Sequence, residues 1–268
     1  MRLFVAGLRK LIRRPASWVS VGLLAGLLSL ILIAVGATAK EAAARPNGSA
    51  ALLLVTFPGA YFLILSFILG LGGLISVIYA AAVAGSEWNW GTLKSAVARG
   101  ESRSRYSLLT FASVAVLMGV GLLIAFLIGT LMAVLGATLA GVSTAGLSDS
   151  GALGRLPDQL GRSWIAIVEE GALGFTVATL ARSQLAGIGA GIALYFGEQF
   201  ASIFLPNVVK YLPFNAATAV VENASGGRPG GGIVQRLEPG LALVVVVGWL
   251  VGALVVTALF TERAEIAG

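Results

Sequence analysis

Residues 85–106, GSEWNWGTLKSAVARGESRSRY, form a charged island between two long apolar runs. In a chain this hydrophobic such an island lies outside the lipid, where its charges and turn backbone can be hydrated. The chain enters it from one membrane span and leaves by the next. Lys94, Arg99, Arg103 and Arg105 outnumber Glu87 and Glu101, and a positive excess places a loop on the cytoplasmic side. The stretch is therefore predicted to hold a short cytoplasmic helix, over 85–105, where force can be applied to two spans at once.

Composition supports that setting. The 268 residues are 57% hydrophobic and 11% charged, with a mean hydropathy of +0.94. Those values exclude a soluble globular protein and indicate a multi-pass membrane protein. The formal net charge of +6 does not point to nucleic acid, because the basic residues flank apolar runs, where lipid headgroups and orientation account for them. The absence of Cys and His removes disulfides, zinc and haem ligation, Cys nucleophiles and Ser-His catalysis. Carboxylate-only catalysis stays formally open. No Gly-x-x-x-x-Gly-Lys-Ser/Thr phosphate loop occurs, so the chain is predicted to be no ATPase itself.

Outward from the island, the hydropathy pattern predicts an all-α, polytopic fold in a single domain over 1–268, with six spans near 17–37, 51–84, 106–140, 163–181, 185–205 and 240–260. The second run reads as one long helix, since no polar hairpin divides it, and Gly70, Gly72 and Gly73 permit a bend or close packing there. Residues 141–161 read as an outer loop, with Arg155, Pro157 and Asp158 making a turn before the fourth span. The brief Arg182-Ser183-Gln184 connection makes spans four and five antiparallel neighbours. Pro206 and Pro213 break the following segment, whose apolar piece 214–221 is too short to cross. The Gly-rich 225–232 reads as a flexible loop rather than a phosphate cradle.

At the N-terminus, Phe4, Leu8, Leu11 and Ile12 recur at helical spacing beside Arg2, Arg9, Lys10, Arg13 and Arg14. This predicts an amphipathic helix on the cytoplasmic membrane surface, or else a plain basic flank, with Pro15 turning the chain into the bilayer. The apolar run after it is longer than a signal-peptide core, so it reads as a retained span. With six spans both termini share one side, and eleven of the eighteen Lys and Arg fall there against seven opposite.

Two groups of residues are candidates for mechanism. In the island, Glu87 reads as opening the island helix, where a carboxylate suits the N-terminal dipole, and as a partner for a nearby basic residue. Trp88 and Trp90 read as interfacial anchors or as contact residues. Within the spans, Glu169, Glu170 and Glu198 sit at similar depth on neighbouring helices, and Tyr195 shares a face with Glu198. They read either as a hydrated outer vestibule suited to cationic or amphiphilic cargo, or as protonated or hydrogen-bonded groups that only hold the bundle together.

Glu87 through Thr92, an acid followed after three residues by Gly-Thr, then Leu93 and the later Ser102-Arg103, resembles the coupling-helix region of ABC-2 type transporter permeases. It departs from the pattern at Arg99-Gly100, where a Pro-containing turn is expected. The resemblance implies a six-span exporter subunit that forms half of a translocation pathway in the cell membrane, completed by a second permease copy or homologue. It also implies two cytoplasmic ABC ATPase subunits that hold ATP and Mg, no cofactor in this chain, and a re-entrant outer element between the last two spans. Glu87, Trp88, Trp90, Gly91, Thr92, Lys94, Arg99 and Arg103 then become the ATPase-coupling residues. An ion-coupled transporter or channel and a non-transporting membrane scaffold remain the competing readings.

Overall fold

The basic start of the chain folds as α1 (Arg2–Ile12) in a computed structural model that describes residues 2–43, 52–221 and 236–264. Its apolar stripe is only partly for lipid. Leu11 is buried and the Ser113 hydroxyl donates to the Phe4 carbonyl at 3.2 Å, so α1 lies across the long helix that carries Ser113. Arg13 and Arg14 make the break, and Pro15 begins α2 (Pro15–Ala43), as its fixed φ and missing N–H favour. Ser17 secures this corner by donating to the Leu11 carbonyl at 2.7 Å while lying 2.8 Å from the Tyr79 hydroxyl.

The second run is one long helix, α3 (Gly59–Asn89), but it is displaced along the sequence from the expected 51–84. It starts late because Pro58 disfavours helical geometry in Phe57 and itself suits a helix start. Residues 53–58 instead form turns, with Val55 and Phe57 buried. A π-helical turn at Ile68–Gly72 marks the glycine-rich part of α3. The helix then runs through Asn89, so the first five residues of the island belong to it. What remains of the expected 85–105 helix is α4 (Thr92–Ala98), because Gly91 and Gly100, at φ +63° and +88°, break the chain on either side.

Next come α5 (Arg103–Ala140) and α6 (Ser150–Ala181). The outer loop expected over 141–161 is mostly helix. Asp149 caps α6 by accepting from the Ala152 N–H at 2.7 Å, and Pro157 sits inside the helix without ending it. After the short turn at Arg182, Ser183 caps α7 (Gln184–Phe204), which packs antiparallel to α6 as expected. Pro206 and Pro213 begin the short α8 (Pro206–Val209) and α9 (Pro213–Thr218), and α10 (Pro239–Arg263) closes the bundle. The Gly-rich 225–232 lies outside the described residues.

Helices are the only regular structure among the described residues. Five of them, α2, α3, α5, α6 and α10, are long and apolar enough to cross a membrane. With the composition, they make this a helical membrane protein. α7, the expected fifth span, is not among the five, because glycines and the Glu198-Gln199 pair lower its hydropathy.

Small residues set the closest contacts, as they do where helices pack in lipid. A Cβ on Gly36 would lie 2.5 Å from the Gly136 Cα, which brings α2 against α5. One on Gly174 would lie 2.3 Å from the Val77 carbonyl, which brings α6 against α3. α3 and α6 form the interior of the bundle, α7 lies against both with most of its side chains exposed, and α10 covers α6 and α5.

Candidate functional site

At the end of the bundle that carries α1, one carboxylate gathers four side-chain partners. Glu87 stands in the last turn of α3, not at the start of the island helix as its sequence context suggests. A carboxylate there faces the unfavourable end of the helix dipole, so partners must stabilise it. Lys10 of α1 donates to its Oε1 at 2.6 Å, and the Arg14 guanidinium stands 3.8 Å from the same oxygen. Its Oε2 accepts from the Tyr106 hydroxyl of α5 at 2.7 Å and from the Thr92 hydroxyl at the start of α4. Glu87 is only 6% exposed, so this single side chain joins α1, α3, α4 and α5 out of reach of bulk water.

The neighbouring island residues divide by face. Leu93 and Ala96 turn α4 onto the bundle, while Lys94, Ser95 and Arg99 face out. Trp90 is 67% exposed and has the Arg14 guanidinium 5.1 Å above its ring. Trp88 points the other way, half-buried beside Phe260 of α10 and under the Arg182 guanidinium at 5.2 Å. Arg103 donates to the Ala264 carbonyl, and the Ser104 N–H donates to Glu262 at 3.3 Å. The start of α5 is thereby tied to the end of α10. Gly91 supplies the turn between Asn89 and α4, and Gly100 ends α4 where a proline was expected.

All eight island residues therefore lie at this end, Gly91 as the turn and the other seven in two roles. Glu87, Thr92, Trp88 and Arg103 hold helices together, while Trp90, Lys94 and Arg99 form the outward surface. Sequence reasoning did not find Lys10, Arg14, Tyr106, Arg182, Phe260 or Glu262. A pairing across 77 residues leaves no local pattern. The usable signal was Glu87 itself, a carboxylate among Ala, Val and Trp that needs a cation once buried.

The intramembrane group is arranged differently. Glu198 accepts from the Phe214 N–H at 3.4 Å, the Asn215 N–H at 3.1 Å and the Asn215 side-chain amide at 3.1 Å, so it caps the first turn of α9 from α7. Tyr195 does not donate to Glu198 as its spacing suggests. Its ring stands edge-on to Phe214 at 5.3 Å, with its hydroxyl toward Gly70 of α3. Glu169 and Glu170 are 0% exposed, and none of their four carboxyl oxygens has a hydrogen-bond partner among the described residues. Both side chains are thus packed away from solvent in this conformation. No three His, Cys, Asp or Glu among the described residues are placed to share a metal ion.

No family model and no curated protein matches the chain.

Proposed function

We propose that this chain is the permease subunit of an ATP-driven exporter, the role implied by its resemblance to ABC-2 type permeases. One observation carries the reading. A short helix with an outward surface of Trp90, Lys94 and Arg99 is fastened through Glu87 to α1, α3 and α5. A push on α4 therefore reaches two long apolar helices and the N-terminal helix through one buried charge. In this reading α7 is a sixth span. Its 21 residues reach roughly 31 Å at about 1.5 Å per residue, the thickness of a hydrocarbon core. Both termini then lie in the cytoplasm, α8 and α9 form the re-entrant outer element, and a second copy or homologue completes the pathway. ATP and Mg are held by the partner ATPases, and this chain supplies the lever and half of the passage.

The test is purification of the full-length chain from its own host in mild detergent, followed by an ATP-hydrolysis assay. A co-purifying ATPase is expected, retained by wild type and lost from a Trp90→Ala, Arg99→Ala double variant that still folds. A wild-type complex without any ATP-hydrolysing partner overturns the reading.

A further inference from the structure

Glu169 and Glu170 are consecutive on α6, so their side chains leave the helix about 100° apart. Both are nevertheless sealed. Neither presents any surface to solvent, and none of the four oxygens touches a space large enough for water. Glu170 is pressed against α3, where a Cβ on Gly73 would lie 1.9 Å from its Oε2. Gly73 is the residue that follows the π-helical turn of α3.

Among the described residues the surroundings supply no counter-charge: on α6 itself Arg162 pairs with Asp158 at 2.7 Å and the exposed Arg155 donates to the Gly151 carbonyl. α7 contributes the acid Glu198, already engaged by Phe214 and Asn215, and the phenol of Tyr195. The ionisable residues of α3 are Tyr61, Tyr79 and Glu87, bonded respectively to the Leu147 carbonyl, Ser17 and the Lys10 cluster. Those of α5 are Arg103, Arg105 and Tyr106 in its first turn, those of α10 are Glu262 and Arg263 at its end, and α9 has none. Two adjacent carboxylates in this setting would be desolvated, unpaired and mutually repelling. A metal ion would need ligands from several residues, and a hydrated cation would need volume. The cation that fits without volume is the proton.

We propose that Glu169 and Glu170 form a proton-binding site between α3, α6 and α7. Each carboxyl carries one proton while α6 lies against Gly73. When the helices part and water enters, each acid gives its proton to water and remains as a hydrated carboxylate. Separation of α6 from α3 and α7 thus releases two protons, and their rebinding is required for the helices to close. The site is independent of any ATPase partner and is tested without one.

The experiment is infrared spectroscopy of the full-length chain in lipid nanodiscs, read at the carbonyl band of protonated carboxylic acids. Wild type at neutral pH is expected to show this band. Glu169→Gln and Glu170→Gln should each remove one component, the double variant should remove both, and Glu198→Gln should leave them in place. Gln has the shape and neutrality of the protonated acid, so these variants are expected to fold. Should one misfold, carbon-13 labelling of glutamate in wild type identifies the band by its shift. Raising the pH should abolish the band in step with amide hydrogen exchange in α3 from Gly73 to Val83 that accelerates beyond the base-catalysed rise shared by all amides. Absence of the band at neutral pH, or its survival in the double variant, overturns the site. Its loss at high pH with no acceleration of exchange in Gly73 to Val83 beyond that shared rise overturns the link to helix separation.

Discussion

α3 meets a buried acid at each of two levels, and the two are treated in opposite ways. Near its end, Glu87 is ringed by Lys10, Arg14, Thr92 and Tyr106. Near its middle, Glu170 rests on Gly73 with no donor among the described residues. A charge fixed by several donors from separate helices resists their separation. A carboxyl that is tolerated only while neutral offers little resistance and becomes sensitive to anything that admits water. The first arrangement suits a joint that transmits force, and the second suits a contact that opens and closes.

The largest expected effect breaks the first half of that contrast. Glu87→Ala removes the acceptor for Lys10, Tyr106 and Thr92 and leaves Arg14 without its counter-ion, at a cost of about 2 kcal/mol. That figure sits below the range for fully buried pairs because Lys10 keeps 35% of its side chain exposed. By contrast, Glu169→Gln and Glu170→Gln at neutral pH are expected to change stability by less than about 0.5 kcal/mol. Unfolding of each variant in nanodiscs, followed by circular dichroism, checks both. Equal losses at the two levels would erase the distinction.

The close contact between α3 and α6 can be probed from either side. Gly73→Ala places a methyl where the Glu170 carboxyl sits, and forcing atoms into such a contact costs about 1–3 kcal/mol. Glu170→Ala frees that space, so the double variant should recover much of the loss. A double-mutant cycle in the same unfolding assay measures the coupling. Simple additivity would mean that the two residues do not press on one another.

A milder effect is expected at Glu198, which serves the backbone of α9 and not another charge. Glu198→Ala should cost about 1 kcal/mol, in the range for a lost helix cap, and should loosen α9 from α7. Faster hydrogen exchange confined to Phe214 and Asn215 is the observation to seek. Exchange that rises throughout the bundle would assign Glu198 a wider role.

These cases also show what the sequence could convey. Long apolar runs announced the membrane and most helices, because lipid forces every backbone polar group to be satisfied within its own helix. Pro15, Pro206 and Pro213 were legible as turns and breaks between helices for a similarly local reason. The start of α6 was misread because Pro157 and the glycines near it look like a loop, while the decisive residue, Asp149, acts through a single capping bond. At the end that carries α1, the charged island was visible but its joint was not. Glu87 meets Lys10 and Tyr106 only after three helices have packed, and no periodicity encodes that meeting. The sealed state of Glu169 and Glu170 also depends on packing, and for Glu170 it is Gly73 that lets α3 come close enough to cover it.

The smallest expected effect on stability belongs to Trp90, and it separates the joint from the surface beside it. With 67% of the residue exposed and the Arg14 guanidinium stacked over its ring, Trp90→Ala should change stability by less than about 0.5 kcal/mol. If the outward face of α4 receives a partner, an exposed Trp at its edge is the kind of residue that dominates binding, and its removal should weaken association tenfold or more. Glu87→Ala should weaken association as well, but by loosening the support of α4. Measured together by unfolding and by binding of the co-purified ATPase, Trp90→Ala should lose binding alone, and Glu87→Ala should lose both. A Trp90→Ala chain that binds as tightly as wild type would move the docking surface away from α4, while the Glu87 joint would still stand as the element that holds this end of the bundle together.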